Sequence, residues 1–133
     1  MKCLLDTSVL IWTLMKTENL SSVAHDLIND ASVVKHVSAI SLLEISIKIS
    51  IGKLTLNGLA VSDLPELLYS RNTELIVLDP FEAAALQKLP TKEDHRDPFD
   101  RMLVCQAISR NLTLISKDEK LAQYCQHGLS LIW

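Results

Sequence analysis

The chain has 133 residues, of which 48% are hydrophobic and 22% charged, and its formal net charge is −3 at pH 7. These values indicate one globular domain, residues 1–133, and exclude a disordered or fibrous chain. No apolar run is long enough to span a bilayer, and the acidic balance argues at first sight against a nucleic-acid partner.

Five short apolar stretches have the composition of β-strands. Most contain consecutive leucine, isoleucine or valine residues, which is typical of parallel strands that are covered on both faces. The predicted strands are residues 2–5, 33–37, 74–78, 112–115 and 129–132.

Helical patterns lie between these strands and begin at side chains that favour helix N-termini. The expected starts are Ser21 or Ser22, Ser38 or Ser41, Ser62 before Asp63, Asp79, Asp97, and Lys117 with Asp118. Residues 52–61 are expected to connect two helices, and residues 89–96 to form a mobile polar loop. The alternation of strands and helices predicts an α/β fold, a three-layer α/β/α sandwich around a central, mainly parallel sheet of about five strands.

Four acidic residues fall where this fold would gather them. Asp6 ends the first predicted strand, and Asp118 follows the fourth strand. Glu44 lies early in the helix after the second strand, and Asp100 lies in the first turn of the helix before the fourth. Because the carboxyl ends of parallel strands and the starts of crossover helices share one edge of a sheet, we expect all four carboxylates to converge there.

Four clustered acids repel each other and lose solvation, so the cluster indicates a bound cation. Oxygen ligands favour hard divalent ions, here Mg²⁺ or Mn²⁺, one or two in number. Such an ion polarises a phosphate and activates a water molecule. The predicted metal ligands, which are also the predicted catalytic residues, are Asp6, Glu44, Asp100 and Asp118.

Each acid also has a purely structural interpretation. Glu44 is the hardest to explain in this way, because isoleucine and leucine residues surround it and a buried carboxylate without a partner is costly. Lys48, four residues further on, could pair with it. For the aspartates the alternative is capping of a helix N-terminus, by Asp6, Asp97, Asp100 or Asp118.

Four segments, in order and spacing, resemble the motifs of PIN domains of the VapC toxin type. They are residues 4–12, residues 38–48 with 52–54, residues 95–101 (His-Arg-Asp-Pro-Phe-Asp-Arg) and residues 114–118 (Leu-Ile-Ser-Lys-Asp). Two departures are visible: Ser8 stands where many relatives have histidine, and Leu43 where many have tryptophan. Neither removes a carboxylate.

The resemblance implies a PIN-like fold and a small metal-dependent endoribonuclease. We expect a water molecule activated by the metal to attack the scissile phosphate and leave 5′-phosphate and 3′-hydroxyl ends. The resemblance also implies the toxin of a type II toxin–antitoxin pair, with a homodimer and an antitoxin that covers the site. By position, the metal-binding acids would be Asp6, Glu44, Asp100 and Asp118. The supporting residues would be Thr7, Asp97 and Ser116.

Basic residues close to these acids are candidates to contact RNA phosphates, with a solvated surface position as the alternative. They are Lys48, Arg96, Arg101 and Lys117. Aromatic residues are few, which favours recognition of RNA by shape and backbone. Setting the four clustered acids aside leaves 12 of the 16 acidic residues against 13 basic ones, so the net charge no longer opposes a nucleic-acid substrate.

Other functions remain open. A solitary RNA-processing or DNA-cleaving PIN nuclease would use the same acids, and a catalytically silent domain would bind RNA without turnover. A phosphatase of the haloacid dehalogenase type would need an aspartate where Ser8 stands, and a receiver domain would need paired acids that are missing. Three widely spaced cysteines, Cys3, Cys105 and Cys125, favour reduced thiols in a cytoplasmic protein over a zinc site.

Overall fold

Five parallel strands form the centre of the fold in the computed structural model, which describes residues 1–90, 92 and 94–133. The strands lie in the order β3-β2-β1-β4-β5, and each neighbouring pair is parallel. Their bounds are β1 Lys2–Leu5, β2 Val34–Ser38, β3 Thr73–Ile76, β4 Thr113–Ile115 and β5 Ser130–Ile132. The predicted α/β/α sandwich with a parallel five-stranded sheet is confirmed.

The predicted ends of β1 match the observed ones, and those of the other four strands differ by at most two residues. The largest difference is at β3, which ends at Ile76 although the prediction extends it to Leu78. The reason is pairing: Ile76 pairs with Ser38, where β2 itself ends, so Val77 has no strand beside it. The chain then turns into the next helix.

Six α-helices and several 3₁₀ helices connect the strands in the described part of the chain. The α-helices are α1 Thr7–Met15, α2 Ser22–Asn29, α3 Ala39–Ser50, α4 Leu64–Ser70, α5 Pro80–Ala85 and α6 Pro98–Ser109. The 3₁₀ helices are Thr17–Asn19, Val61–Asp63, Leu86–Lys88 and Glu119–His127. In the described ranges no helix is both long and apolar enough to cross a membrane.

Most of the predicted caps are observed, but the predicted helix start at Ser62 is wrong. Ser62 lies inside the 3₁₀ helix Val61–Asp63, and α4 begins at Leu64 without a side-chain cap. Ser21 accepts a hydrogen bond from the Ala24 amide, and Ser38 rather than Ser41 caps α3. Asp79 and Glu82 form a capping box at the start of α5. Side-chain oxygens thus satisfy amides that a helix N-terminus would otherwise leave without partners.

Helix α1 is absent from the predicted helices. Six of its nine residues are apolar, and its polar residues Thr7, Ser8 and Thr13 do not lie on one face, so no polar face marks a helical period in the sequence. Residues 52–61 join α3 to the next helical turn as expected, and Gly52, with φ of 74°, ends α3 in the left-handed region that glycine tolerates. In the predicted loop 89–96, residues 91 and 93 lie outside the described residues.

Strand β1 lies at the centre of the sheet and separates two apolar cores. Leu4 faces one core, together with Leu103 of α6 and Tyr124 of the 3₁₀ helix Glu119–His127. Cys3 and Leu5 face the other core, which packs under α1, α2 and α4. Because both faces of β1 are buried, its carboxyl end at Asp6 is held from two sides.

Candidate active site

Asp6 stands where β1 ends and α1 begins. Its Oδ1 accepts a hydrogen bond from the Ser8 amide at 2.7 Å and so caps α1. Its Oδ2 accepts a hydrogen bond from the hydroxyl of Ser116, which follows the neighbouring strand β4. Burial raises the pKa of Asp6, the two hydrogen bonds lower it, and the charges of Glu44 and Asp118 raise it further. Asp6 is therefore a cap and a member of an acid cluster at once.

The Ser116 side chain connects two of the predicted acids. Besides donating to Asp6, its oxygen accepts a hydrogen bond from the Asp118 amide at 3.1 Å. Asp118 in turn caps the 3₁₀ helix Glu119–His127, since its Oδ1 accepts from the Lys120 amide at 3.0 Å. A single buried hydroxyl thus fixes the spacing between the end of β1 and the chain after β4.

Glu44 is buried on α3, with 6% of its surface exposed. Its Oε2 accepts a hydrogen bond from the Lys48 ammonium group at 2.6 Å, so the ion pair expected as the structural alternative does form. Its Oε1 is also buried and has no hydrogen-bond partner among the described residues. Since a buried carboxylate oxygen ordinarily has a partner, the ion pair explains only half of this side chain.

Asp100 lies in the first turn of α6, next to the other acids. Burial raises its pKa to about 7, and nearby negative charges contribute further to the rise. Those charges belong to Asp97, Asp6, Glu44 and Asp118. Asp100 is therefore within electrostatic reach of the other three predicted metal-binding acids.

Asp97 has a clear structural role beside this cluster. Its Oδ1 accepts hydrogen bonds from the amides of Phe99 at 2.8 Å and Asp100 at 3.2 Å, which caps α6. The cap orients the first turn of α6, where Asp100 is located. Asp97 thus supports the position of Asp100 through the backbone.

Thr7 also supports the acid cluster, through a buried hydrogen bond. Its hydroxyl donates a hydrogen bond to the Ser41 hydroxyl at 3.0 Å, and both side chains are buried. Thr7 follows Asp6 at the start of α1, and Ser41 precedes Glu44 on α3. The bond therefore ties together the two helices that carry these acids.

The basic residues near the cluster differ in their surroundings. Arg101 donates to the Leu89 carbonyl at 3.1 Å, and the Lys117 ammonium group lies 5.9 Å from the centroid of a Trp12 ring. Arg96 is exposed just before α6. The fourth candidate, Lys48 on α3, forms the ion pair with Glu44 described above.

His95 was not predicted as a site residue, yet it lies against the acids. Its Nε2 is 3.7 Å from Asp100 Oδ2 and 3.9 Å from Asp118 Oδ2. One ligand atom from each of the three residues lies within 4.8 Å of the others. On its other side, Nδ1 is 2.6 Å from the Tyr124 hydroxyl. The only sequence signal was its place at the start of the motif at 95–101.

Comparison with known proteins assigns the family. Residues 3–126 match the sequence profile of the PIN domain. The chain belongs to the PIN domain family. Among curated proteins, none matched its sequence.

Solved structures share this PIN fold along almost the whole chain. One is a chain of VapBC2 from Rickettsia felis bound to a promoter DNA fragment, with TM-score 0.70, 19% identity, and coverage of 99% of this chain and 98% of that one. Another is VapBC-1 from nontypeable Haemophilus influenzae, with TM-score 0.63, 20% identity, and coverage of 99% and 97%. A toxin–antitoxin complex from Klebsiella pneumoniae matches with TM-score 0.63, 15% identity, and coverage of 98% and 96%.

Proposed function

We propose that residues 1–133 form a single nuclease domain that hydrolyses RNA phosphodiester bonds with the help of Mg²⁺ or Mn²⁺. The observation that carries this proposal is the convergence of four carboxylates at one edge of a PIN domain sheet, with one buried oxygen of Glu44 lacking a partner in the described chain. The proposed ligands, and catalytic residues, are Asp6, Glu44, Asp100 and Asp118.

The donor set fits a hard divalent cation. Every proposed ligand is a carboxylate, and burial together with their mutual repulsion raises the pKa values of Asp6 and Asp100. A bound cation would offset that repulsion and give the buried Glu44 Oε1 a partner. When bound, such an ion polarises the scissile phosphate and supplies the nucleophile from water at neutral pH.

The chain's own residues would orient the reaction. Ser116 and the Ser8 amide fix both oxygens of Asp6. Asp97 and Thr7 hold the first turns of α6 and α1 in place. Basic side chains around the cluster would bind the phosphates that flank the scissile bond. These are Lys48, Arg96, Arg101 and Lys117.

A toxin role is supported by the neighbours of similar fold, which come from toxin–antitoxin complexes. We therefore infer that a cognate antitoxin protein neutralises the chain. We also infer that the chain acts as a homodimer in the cytoplasm. The free thiols at Cys3, Cys105 and Cys125 fit a reducing compartment.

Cleavage of a structured RNA tests the activity. The purified protein should cut RNA with Mg²⁺ or Mn²⁺, lose this activity in EDTA, and leave 5′-phosphate and 3′-hydroxyl ends. Asp6→Asn and Asp100→Asn should each lower the rate at least about 100-fold, because each removes a ligand charge. Asp26→Asn, which changes an exposed acid on α2, is the matched control and should cut at the normal rate.

Several results would contradict the proposal. Cleavage that persists in EDTA would exclude the metal, and full activity in Asp6→Asn would exclude the role of that residue. Cleavage of DNA of the same sequence but not of RNA would favour the DNA-cleaving alternative. Tight RNA binding without metal-dependent turnover would favour a catalytically silent RNA-binding domain.

A further inference from the structure

His95 and Tyr124 form a buried pair behind the acid cluster. His95 is 3% exposed and Tyr124 is fully buried. The Tyr124 hydroxyl lies 2.6 Å from Nδ1 of His95, and the two rings meet edge to face with their centroids 5.4 Å apart. Neither residue belongs to the carboxylate set, so the pair requires an explanation of its own.

The pair bridges the two segments that carry Asp100 and Asp118. His95 precedes α6, which begins at Pro98 and carries Asp100. Tyr124 lies in the 3₁₀ helix Glu119–His127, which Asp118 caps. The contact between them therefore links the start of α6 to the chain after β4. We propose that His95, oriented by Tyr124, is a positioning residue that holds Asp100 and Asp118 at the spacing that a divalent cation requires.

The neighbouring groups indicate which ring nitrogen carries the proton. Two carboxylate oxygens face Nε2, at 3.7 and 3.9 Å, and in the ionised form that binds a cation both carboxylates only accept hydrogen bonds. A proton on Nε2 attracts both of them, and Nδ1 then accepts a hydrogen bond from the Tyr124 hydroxyl. A protonated Nε2 cannot ligate a metal, so His95 acts on the cation through the two acids.

This inference rests on the proposed function, and metal affinity is its main test. Tyr124→Phe removes only the hydroxyl and should weaken Mn²⁺ binding about 10-fold in calorimetry, because partners behind a metal ligand typically contribute 10–100-fold. We also expect kcat to fall while KM for RNA stays unchanged. Tyr69→Phe, at an exposed tyrosine on α4, is the matched control and should bind Mn²⁺ normally.

Substitution of His95 separates positioning from simple filling of space. His95→Gln keeps an N–H donor near the place of Nε2 and should retain most of the Mn²⁺ affinity. His95→Ala loses the donor and should bind Mn²⁺ about 10–100-fold more weakly. Long-range ¹H–¹⁵N spectra of the metal-free protein at about pH 8, where Asp100 is ionised, should show the proton of His95 on Nε2.

Two results would overturn the proposal: normal Mn²⁺ affinity in Tyr124→Phe, or an unprotonated Nε2 whose ¹⁵N signal shifts strongly when the diamagnetic ion Mg²⁺ binds. The second would make His95 a ligand. Failure of the proposed function has a different signature: a wild-type protein that binds Mn²⁺ but cuts no RNA loses the nuclease assignment, while the effect of Tyr124→Phe on affinity still stands. A wild-type protein that binds no Mn²⁺ would end both proposals.

Discussion

At the scale of single residues, helix capping and a role in the acid cluster do not exclude each other. Asp6 gives Oδ1 to the Ser8 amide and turns Oδ2 toward Ser116. Asp118 gives Oδ1 to the Lys120 amide, while its Oδ2 lies 3.9 Å from His95. In both aspartates one oxygen caps and the other faces the site. The positive end of each capped helix also favours the carboxylate charge there.

Loss of the Ser116 hydroxyl tests how strongly this arrangement depends on one atom. Ser116→Ala should lower the rate of RNA cleavage about 10-fold or more, because Asp6 and the Asp118 amide lose their shared partner. The variant should also unfold more easily by about 1–2 kcal/mol, since a buried acceptor loses its donor. Ser8→Ala, at an exposed serine whose backbone amide still caps, should leave both quantities unchanged. Equal effects of the two substitutions on cleavage rate and stability would show that the Ser116 hydroxyl does not hold Asp6 and Asp118 in place.

Ionisation of Asp100 opposes folding of the metal-free protein. Burial and the neighbouring acids raise its pKa from 3.8 to about 7, so the folded protein keeps a proton that the unfolded chain releases. The free energy of unfolding should therefore fall as the pH rises from about 4 to 7. Asp100→Asn should remove this component and stabilise the metal-free protein at pH 8 by about 2 kcal/mol. Urea denaturation in the presence of EDTA measures the free energy of unfolding of both proteins. An Asp100→Asn variant no more stable than the wild type at pH 8 would contradict the expectation.

At the scale of elements, a second buried network connects the helices that carry the acids. Ser38, the cap of α3, donates a hydrogen bond to Gln106 of α6 at 2.5 Å. Gln106 donates in turn to Glu82 of α5 at 3.1 Å, and Glu82 pairs with Arg110 at the end of α6. The start of α3 and the body of α6 are therefore fixed relative to each other below the site.

The Glu82 ion pair should make the fold sensitive to acid. Its hydrogen bond with Arg110 is the main reason why the pKa of Glu82 falls to about 2 from the ordinary 4.5. The stabilisation is complete above about pH 4.5 and is lost as the pH falls toward about 2. Glu82→Gln should cost about 2 kcal/mol at pH 7 and weaken the loss of stability in acid. Glu66→Gln, at an exposed position on α4, is the control, and urea denaturation at several pH values distinguishes the two.

The elements differ in how well the sequence predicts them, for physical reasons. Strands and capped helices carry local signals: apolar runs, and serine or aspartate at the start of a helix. Helix α1 has no polar face, so no period marks it. The four acids could be placed because parallel strands share a carboxyl edge. His95 could not, since its contact with Tyr124 joins residues 29 apart through packing that no local pattern encodes.

At the scale of the whole molecule, the net charge of −3 is distributed unevenly. Four of the acids converge at one edge of the sheet, where they repel each other. The repulsion between these acids destabilises the fold at the same place where a bound cation would offset it. A divalent ion bound there should therefore stabilise the entire domain, because it binds the folded state and not the unfolded chain.

Thermal unfolding measures that linkage. Mn²⁺ at about 100 times its Kd should raise the free energy of unfolding by about 2.7 kcal/mol. The increase should be largely lost in Glu44→Gln, which removes the charge of the buried acid on α3. Asp26→Asn should respond to Mn²⁺ like the wild type. If all three proteins responded equally, the ion would be binding elsewhere.

The order of strands in the sheet also has a consequence for synthesis of the chain. Asp6 leaves the ribosome more than a hundred residues before its partners Ser116 and Asp118, which follow β4. The β1 strand cannot acquire its neighbour β4, and the acid cluster cannot be completed, until the segment that contains β4 has emerged. Until β4 has emerged, a nascent chain therefore holds an incomplete site, and under the proposed function it could not cut the RNA that is being translated.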